Sequence, residues 1–164
     1  MKRYIILLCV PLVCTAVAGI NISSDSKDIE CLAKNIYFEA RNDNLAGQVA
    51  ITDVVLNRVL NASYPNDICE VVYQGPQDSR GNMIRNKCQF SWYCDGKSDK
   101  IPYPSINDSW WRAMNLASDM YYNDAYRGIT EGSTHYHASY VDPAWSKDLQ
   151  LVGRIGAHIF YRKK

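Results

Sequence analysis

Residues 45–60 (LAGQVAITDVVLNRVL) limit the fold of this chain more than any other segment. Read as a helix, they spread Leu45, Ala46, Val49, Ala50, Val54, Val55 and Val59 over a wide apolar face. A helix of that kind must be covered on most sides, so it belongs in the core of a packed domain. Just upstream, residues ~28–41 repeat Ile29, Leu32, Ala33, Ile36 and Ala40 at helical spacing. Asp25 or Ser26 is the predicted start cap of that helix, and Asn42-Asp43-Asn44 its stop. A third helix is predicted over ~110–126, capped by Asp108 or Ser109, with Trp110, Met114, Ala117 and Tyr121 on one face. Tyr64-Pro65-Asn66-Asp67 interrupts the helical pattern, and residues 68–73 read as a short helix or strand. Residues 74–88 are rich in Gly, Pro, Asn and charge and are predicted as a surface loop. Irregular chain follows over residues 91–103, with Asp95-Gly96 as a turn. Alternation over 133–141 (STHYHASYV) predicts a strand, with 157–161 as its partner. With no repeat and no linker, the pattern specifies one α+β domain, mainly helical with a small antiparallel strand region.

The ends and the cysteines speak to the compartment. Lys2 and Arg3 precede an apolar run over residues 4–17, and Ala16-Val17-Ala18 is a small-x-small cleavage pattern. Residues 1–18 are therefore expected to be a signal peptide or a signal anchor, and residues 19–164 the domain. Of six cysteines, Cys9 and Cys14 lie in this leader. Cys31, Cys69, Cys88 and Cys94 remain, an even number compatible with two disulfides in an exported chain, in any of three pairings. Losing Lys2 and Arg3 takes the basic count from 18 to 16 against 17 acids, a formal charge of −1. That balance is no footprint for nucleic acid. The 12 Tyr and four Trp supply flat faces that suit the C–H patches of sugar rings, and equally suit protein partners.

One carboxylate sits where ionisation is disfavoured. Glu39 lies three residues after Ile36 and seven after Leu32, on or beside the apolar stripe, in the last turn of its helix. Partial burial and the negative end of the helix dipole both favour its protonated form. A carboxyl group kept protonated near neutral pH is what a general acid requires. The competing reading is a solvated Glu at the stripe's edge, or one paired with Arg41 or Arg58.

Six segments occur in order: Asn35-Ile-Tyr-Phe-Glu-Ala-Arg41, Gly47-Gln-Val-Ala, Val54-Val-Leu-Asn-Arg-Val59, Cys88-Gln-Phe-Ser-Trp92, Thr134-His-Tyr-His-Ala138 and Gly156-Ala-His-Ile-Phe-Tyr161. Together they resemble the SleB-type cell wall hydrolases, which include spore-cortex-lytic enzymes and relatives in bacterial envelopes and bacteriophages. The resemblance covers about residues 30–161. It implies a lysozyme-like fold, peptidoglycan glycan strands as substrate, no cofactor, and Glu39 as the catalytic residue. One departure is local: Arg41-Asn42-Asp43-Asn44 stands where Arg-Gly-Glu is expected.

Glycoside cleavage normally uses two carboxyl groups. Asp53, Asp95 and Asp142 read as surface charges, so no second catalytic carboxylate is evident. A lytic transglycosylase needs only one, because a hydroxyl of the substrate replaces water. That reaction at the MurNAc–GlcNAc bond is the expected activity, with a hydrolytic muramidase as its close variant. Gln89, Phe90, Ser91 and Trp92 are candidate substrate-binding residues: Gln89 and Ser91 to orient the saccharide, Trp92 to stack on it or to be buried. Gln89 to Ser91 also fit a short strand that only satisfies backbone groups. His135 and His137 share a strand face, and with His158 make a zinc N-acetylmuramoyl-L-alanine amidase the main alternative, although no HExxH is present. Tyr136 and His137 are otherwise expected to line the cleft. A monomer is expected, touching membrane only through an uncleaved leader.

Overall fold

The computed structural model describes residues 22–164, so the leader and its two cysteines lie outside the described residues. Helix α1 (Ile22–Ala40) is longer than the spacing predicts. Asp25 is not its cap but sits in its first turn, where its charge complements the positive helix end. The Asp25 carboxylate also accepts a bond from the Tyr121 hydroxyl at 3.0 Å. Helix α2 (Leu45–Val59) is capped by Asn44, whose side chain accepts from the Gly47 amide at 2.9 Å. Residues 68–73 resolve as a helix, α3 (Ile68–Val72), because Asp67 caps it through the Glu70 amide. Helix α4 (Asp108–Asn123) is capped by Asn107, not Asp108 or Ser109, through the Trp110 amide. It stops short of the predicted end, since Asp124 takes a left-handed conformation.

These helices enclose the main core. Leu32 and Ile36 of α1, Val55 of α2, Val71 and Val72 of α3, and Leu116 and Met120 of α4 meet there. Strand β1 (His135–Ala138) pairs antiparallel with β3 (His158–Arg162), as the alternation predicts. A further strand, β2 (Gln150–Ile155), flanks β3 on its other side, giving the order β1-β3-β2. Its sequence hides it: the register shifts between Leu151 and Gly153, and Leu151 is exposed. One sheet face packs Tyr136, Val152, Ile155 and Phe160 on Ala40, Ala50, Ile51 and Val54 of α1 and α2. The last turn of α1 is thereby set directly against the sheet.

Two disulfides form among the described residues, Cys31–Cys69 and Cys88–Cys94, with Cα–Cα separations of 5.4 and 6.0 Å. The first ties α1 to α3 across 38 residues, a closure worth about 4 kcal/mol by chain entropy. The second closes a small ring that carries Gln89 to Tyr93. Residues 89–91 form no strand; Ser91–Cys94 is a turn of 3-10 helix. Residues 74–88 are irregular, pinned by a single bridge between Gln77 and Met83. Among the described residues no helix is long and apolar enough to cross a membrane.

Two polar devices fix the sheet on the helices. Asp53, expected at the surface, is fully buried in α2. Its carboxylate accepts from the Gly128 and Thr130 amides at 3.1 Å each and from the Thr130 hydroxyl at 2.6 Å, and pairs with Arg127 at 3.0 Å. One turn later, Asn57 donates to the Ser133 carbonyl at 3.0 Å and Arg58 to the Thr134 carbonyl at 2.8 Å. One face of α2 therefore grips the chain that leads into β1. The second device is Asp43, between α1 and α2, which accepts from the Ala157 amide at 2.9 Å and faces His158 Nδ1 at 3.6 Å. Gly47 and Gly156 make room for it: a Cβ on either would collide with the Asp43 carboxylate.

Candidate active site

Glu39 occupies the last turn of α1 and is half-buried where that turn meets the sheet. The Tyr136 hydroxyl donates to Glu39 Oε2 at 3.2 Å. Burial raises the Glu39 pKa above the ordinary carboxylate value, and the Tyr136 bond and the Arg58 charge oppose that rise without cancelling it. The same burial, reinforced by Glu39, pushes the Tyr136 phenol well above its usual range. Burial thus favours the protonated form of both groups. Arg41 is turned away, donating to the Tyr37 carbonyl at 3.2 Å and lying over the Tyr37 ring. Arg58 is buried and shields its charge between the Phe90 and Tyr64 rings, 5.1 and 5.3 Å from its guanidinium carbon.

Glu39 and Tyr136 line different hollows. The smaller, about 230 Å³, is lined by Phe38, Glu39, Ala40, Arg41, Asn42, Asp43, Ala157 and His158. The larger, about 520 Å³, is lined by Arg58, Cys88, Gln89, His135, Tyr136, Trp145, Asp148 and Leu149. Asp43 is the second carboxylate of the smaller hollow, but its two oxygens accept from the Asn44 and Ala157 amides, with His158 Nδ1 3.6 Å away. Burial lowers the His158 pKa, against the pull of Asp43.

The residues anticipated from sequence divide into three groups. Glu39 and Tyr136 come together, and Gln89 is exposed at the wall of the larger hollow. Ser91 is exposed on the turn that follows. Phe90 and Trp92 belong to the core. Phe90 lies under Arg58, and Trp92 stacks on Phe38 at 4.7 Å while its indole N–H donates to Asn35 at 3.1 Å. Trp92 therefore follows its buried alternative, leaving no face for a sugar. His137 is also buried, bonded to the Tyr161 hydroxyl at 3.0 Å, on the sheet face opposite Tyr136.

The histidines do not converge. His135 and His137 both pack against Trp145, whereas the pairing of Ala138 with His158 puts His158 on the Tyr136 face. Among the described residues, one trio has the spacing of metal ligands, Asp28, Asp67 and Cys69, and its sulfur is committed to a disulfide. Sequence reasoning missed Asp43 and Trp145 as site residues and named Arg58 only as an ion-pair partner for Glu39. Asp43 and Arg58 sit in or beside quoted motifs, and buried charge at such positions is the available signal. Trp145 carries none, because it stands in a short irregular turn.

Comparison with known proteins agrees with this architecture. The chain is 38% identical over 58 residues to a spore cortex-lytic enzyme of Bacillus cereus, covering 34% of this chain and 22% of that protein. It is 25% identical over 135 residues to the spore cortex-lytic enzyme of Bacillus subtilis, covering 82% of this chain and 37% of that protein. The chain thus spans well under half the length of these relatives. Its fold matches the catalytic domain of the Bacillus cereus SleB protein with a TM-score of 0.58 and 26% identity, covering 82% of this chain and 89% of that one. The catalytic domain of the germination-specific lytic transglycosylase SleB from Bacillus anthracis has the same fold, with a TM-score of 0.59 at 24% identity over 90% of this chain and all of that one. The cell wall hydrolase family model matches residues 42–161, a span that begins just after Glu39. With that model covering well over half of the sequence, the chain belongs to the cell wall hydrolase family.

Proposed function

We propose that this chain is an exported peptidoglycan-cleaving glycosidase, a lytic transglycosylase that cuts the bond from N-acetylmuramic acid to N-acetylglucosamine. The observation that carries this reading is Glu39 itself: a half-buried carboxyl, raised in pKa, under the Tyr136 hydroxyl, with its only carboxylate neighbour in the hollow already occupied. Two-carboxylate hydrolysis needs a second free group, and Asp43 is held by backbone amides. A single acid suffices for an internal displacement. Glu39 gives its proton to the glycosidic oxygen as the C1–O bond breaks. The resulting carboxylate takes the proton of the muramic C6 hydroxyl, whose oxygen closes onto C1 as a 1,6-anhydro ring. No water enters, and Glu39 ends protonated, ready for the next bond.

Tyr136 steadies the carboxylate between the two transfers, since a hydrogen bond to the charged form favours it. Gln89 and Ser91 are the proposed positioning groups, and the substrate N-acetyl oxygen shares the positive charge at C1. The Bacillus anthracis neighbour, a lytic transglycosylase, supports the same reaction class. The zinc amidase reading is weaker because His158 faces away from His135 and His137. The chain is proposed to act as a monomer after export.

Mass spectrometry of purified sacculi digested by the protein tests this reading. The expected products are muropeptides with 1,6-anhydro ends and intact stem peptides. Reducing muramic ends would instead indicate hydrolysis, and bare glycan with free stem peptides would indicate an amidase.

A further inference from the structure

Arg58 is a buried cation with no ion pair among the described residues. It is 4% exposed, its Nε–H donates to the Thr134 carbonyl, and its Nη1 is out of contact with water and has no acceptor in the protein. The residue nevertheless forms part of the wall of the larger hollow. The groups around it do not neutralise it. No carboxylate among the described residues, Glu39 included, forms an ion pair with it. Asp148 also lines the hollow but is exposed, so water screens it. A buried guanidinium with an unfilled N–H is costly unless an acceptor arrives with the ligand.

We propose that Arg58 is the subsite for the lactyl group of the muramic residue, donating to its carboxyl-derived oxygen. This inference rests on the glycan reading above and deepens it. The placement selects the lactyl chain among the substituents of the sugar. Arg58 and Tyr136 line the larger hollow while Glu39, bonded to Tyr136, lines the smaller, so Arg58 and Glu39 are reached from different hollows. The N-acetyl group hangs from C2, next to the reacting carbon. The lactyl ether hangs from C3 on a flexible arm, and N-acetylglucosamine lacks it. Arg58 would therefore distinguish muramic acid from glucosamine, fixing which of the two alternating bonds reaches Glu39. Its planar donor fork suits a carboxylate or an amide carbonyl, so stem-free and stem-bearing residues present the same acceptor.

Binding to the Glu39→Gln form of the chain tests the proposal without turnover, so the outcome is independent of whether the lytic reaction is correctly assigned. The ligands are N-acetylglucosamine, N-acetylmuramic acid and N-acetylmuramyl-L-alanine amide, followed by NMR of the Arg58 guanidinium. Both muramic ligands are expected to bind about tenfold more tightly than N-acetylglucosamine and to shift the Arg58 signal, as a hydrogen bond to a charged donor implies. Adding Arg58→Gln should bring the three ligands to within about twofold. Arg58→Lys, which keeps the charge but not the fork, is the arm to read if the glutamine form loses its near-ultraviolet dichroism, and it should lose most of the preference. Equal binding of glucosamine and muramic ligands would overturn the proposal. So would a preference that survives in a folded Arg58 variant.

Discussion

At the scale of single residues, the site depends on how Glu39 is balanced between two protonation states. Burial pulls it toward the neutral form, while the Tyr136 bond and Arg58 pull it toward the carboxylate. In the proposed reaction Glu39 must be protonated to act, so activity is expected to fall as pH rises through its elevated pKa. Removing the hydroxyl with Tyr136→Phe deletes a bond that favours the ionised form, so the pKa rises further. The alkaline limb of the pH–rate profile is expected to move to higher pH, while the plateau rate falls about tenfold through weaker stabilisation of the carboxylate. A lower alkaline limb in that variant would contradict the assignment of Tyr136. The partial burial of Glu39 was legible in sequence because an acidic residue at the edge of an apolar stripe conflicts with its surroundings. Phe90 was misplaced and Trp92 left open because an aromatic side chain looks alike whether it meets a sugar or a core, and only packing against Phe38 and Arg58 decides.

At the scale of elements, α2 is the part that aims the site. Its apolar face was plain in the sequence, and Val49, Ala50, Val54 and Val55 are all buried as expected. Its polar residues were not, since nothing local distinguishes a solvated Asp from one whose partners lie 75 or more residues away, as with Gly128 and Thr130. Asp53 holds the segment that delivers Tyr136 to Glu39. Asp53→Ala removes the ion-pair partner of Arg127 and the acceptor of two amides and the Thr130 hydroxyl, and is expected to cost about 3–5 kcal/mol in urea unfolding. A loss below about 1 kcal/mol, the range of surface ion pairs, would show that the grip is not structural. Strand β2 was illegible for a different reason: its irregular register and exposed leucine erase the alternation by which strands are recognised.

At the scale of the whole molecule, the α+β class, the three long helices and the β1–β3 pairing all followed from periodicity. Disulfide pairing did not, because spacing alone leaves three solutions, and the folded chain selects the pair that links α1 to α3 and the pair that closes the Gln89 turn. The result is a helical body with a small sheet laid against the end of α1, so that one acidic side chain meets one phenol over a double hollow. The proposed chemistry rests on that one side chain. Its most direct test is the rate at which purified sacculi are solubilised by the wild-type chain and by Glu39→Gln, with folding checked by circular dichroism. A folded variant slowed by about 10²–10⁴-fold or more, the share of a general acid, is the expected result. A folded variant that dissolves sacculi at the wild-type rate would contradict it.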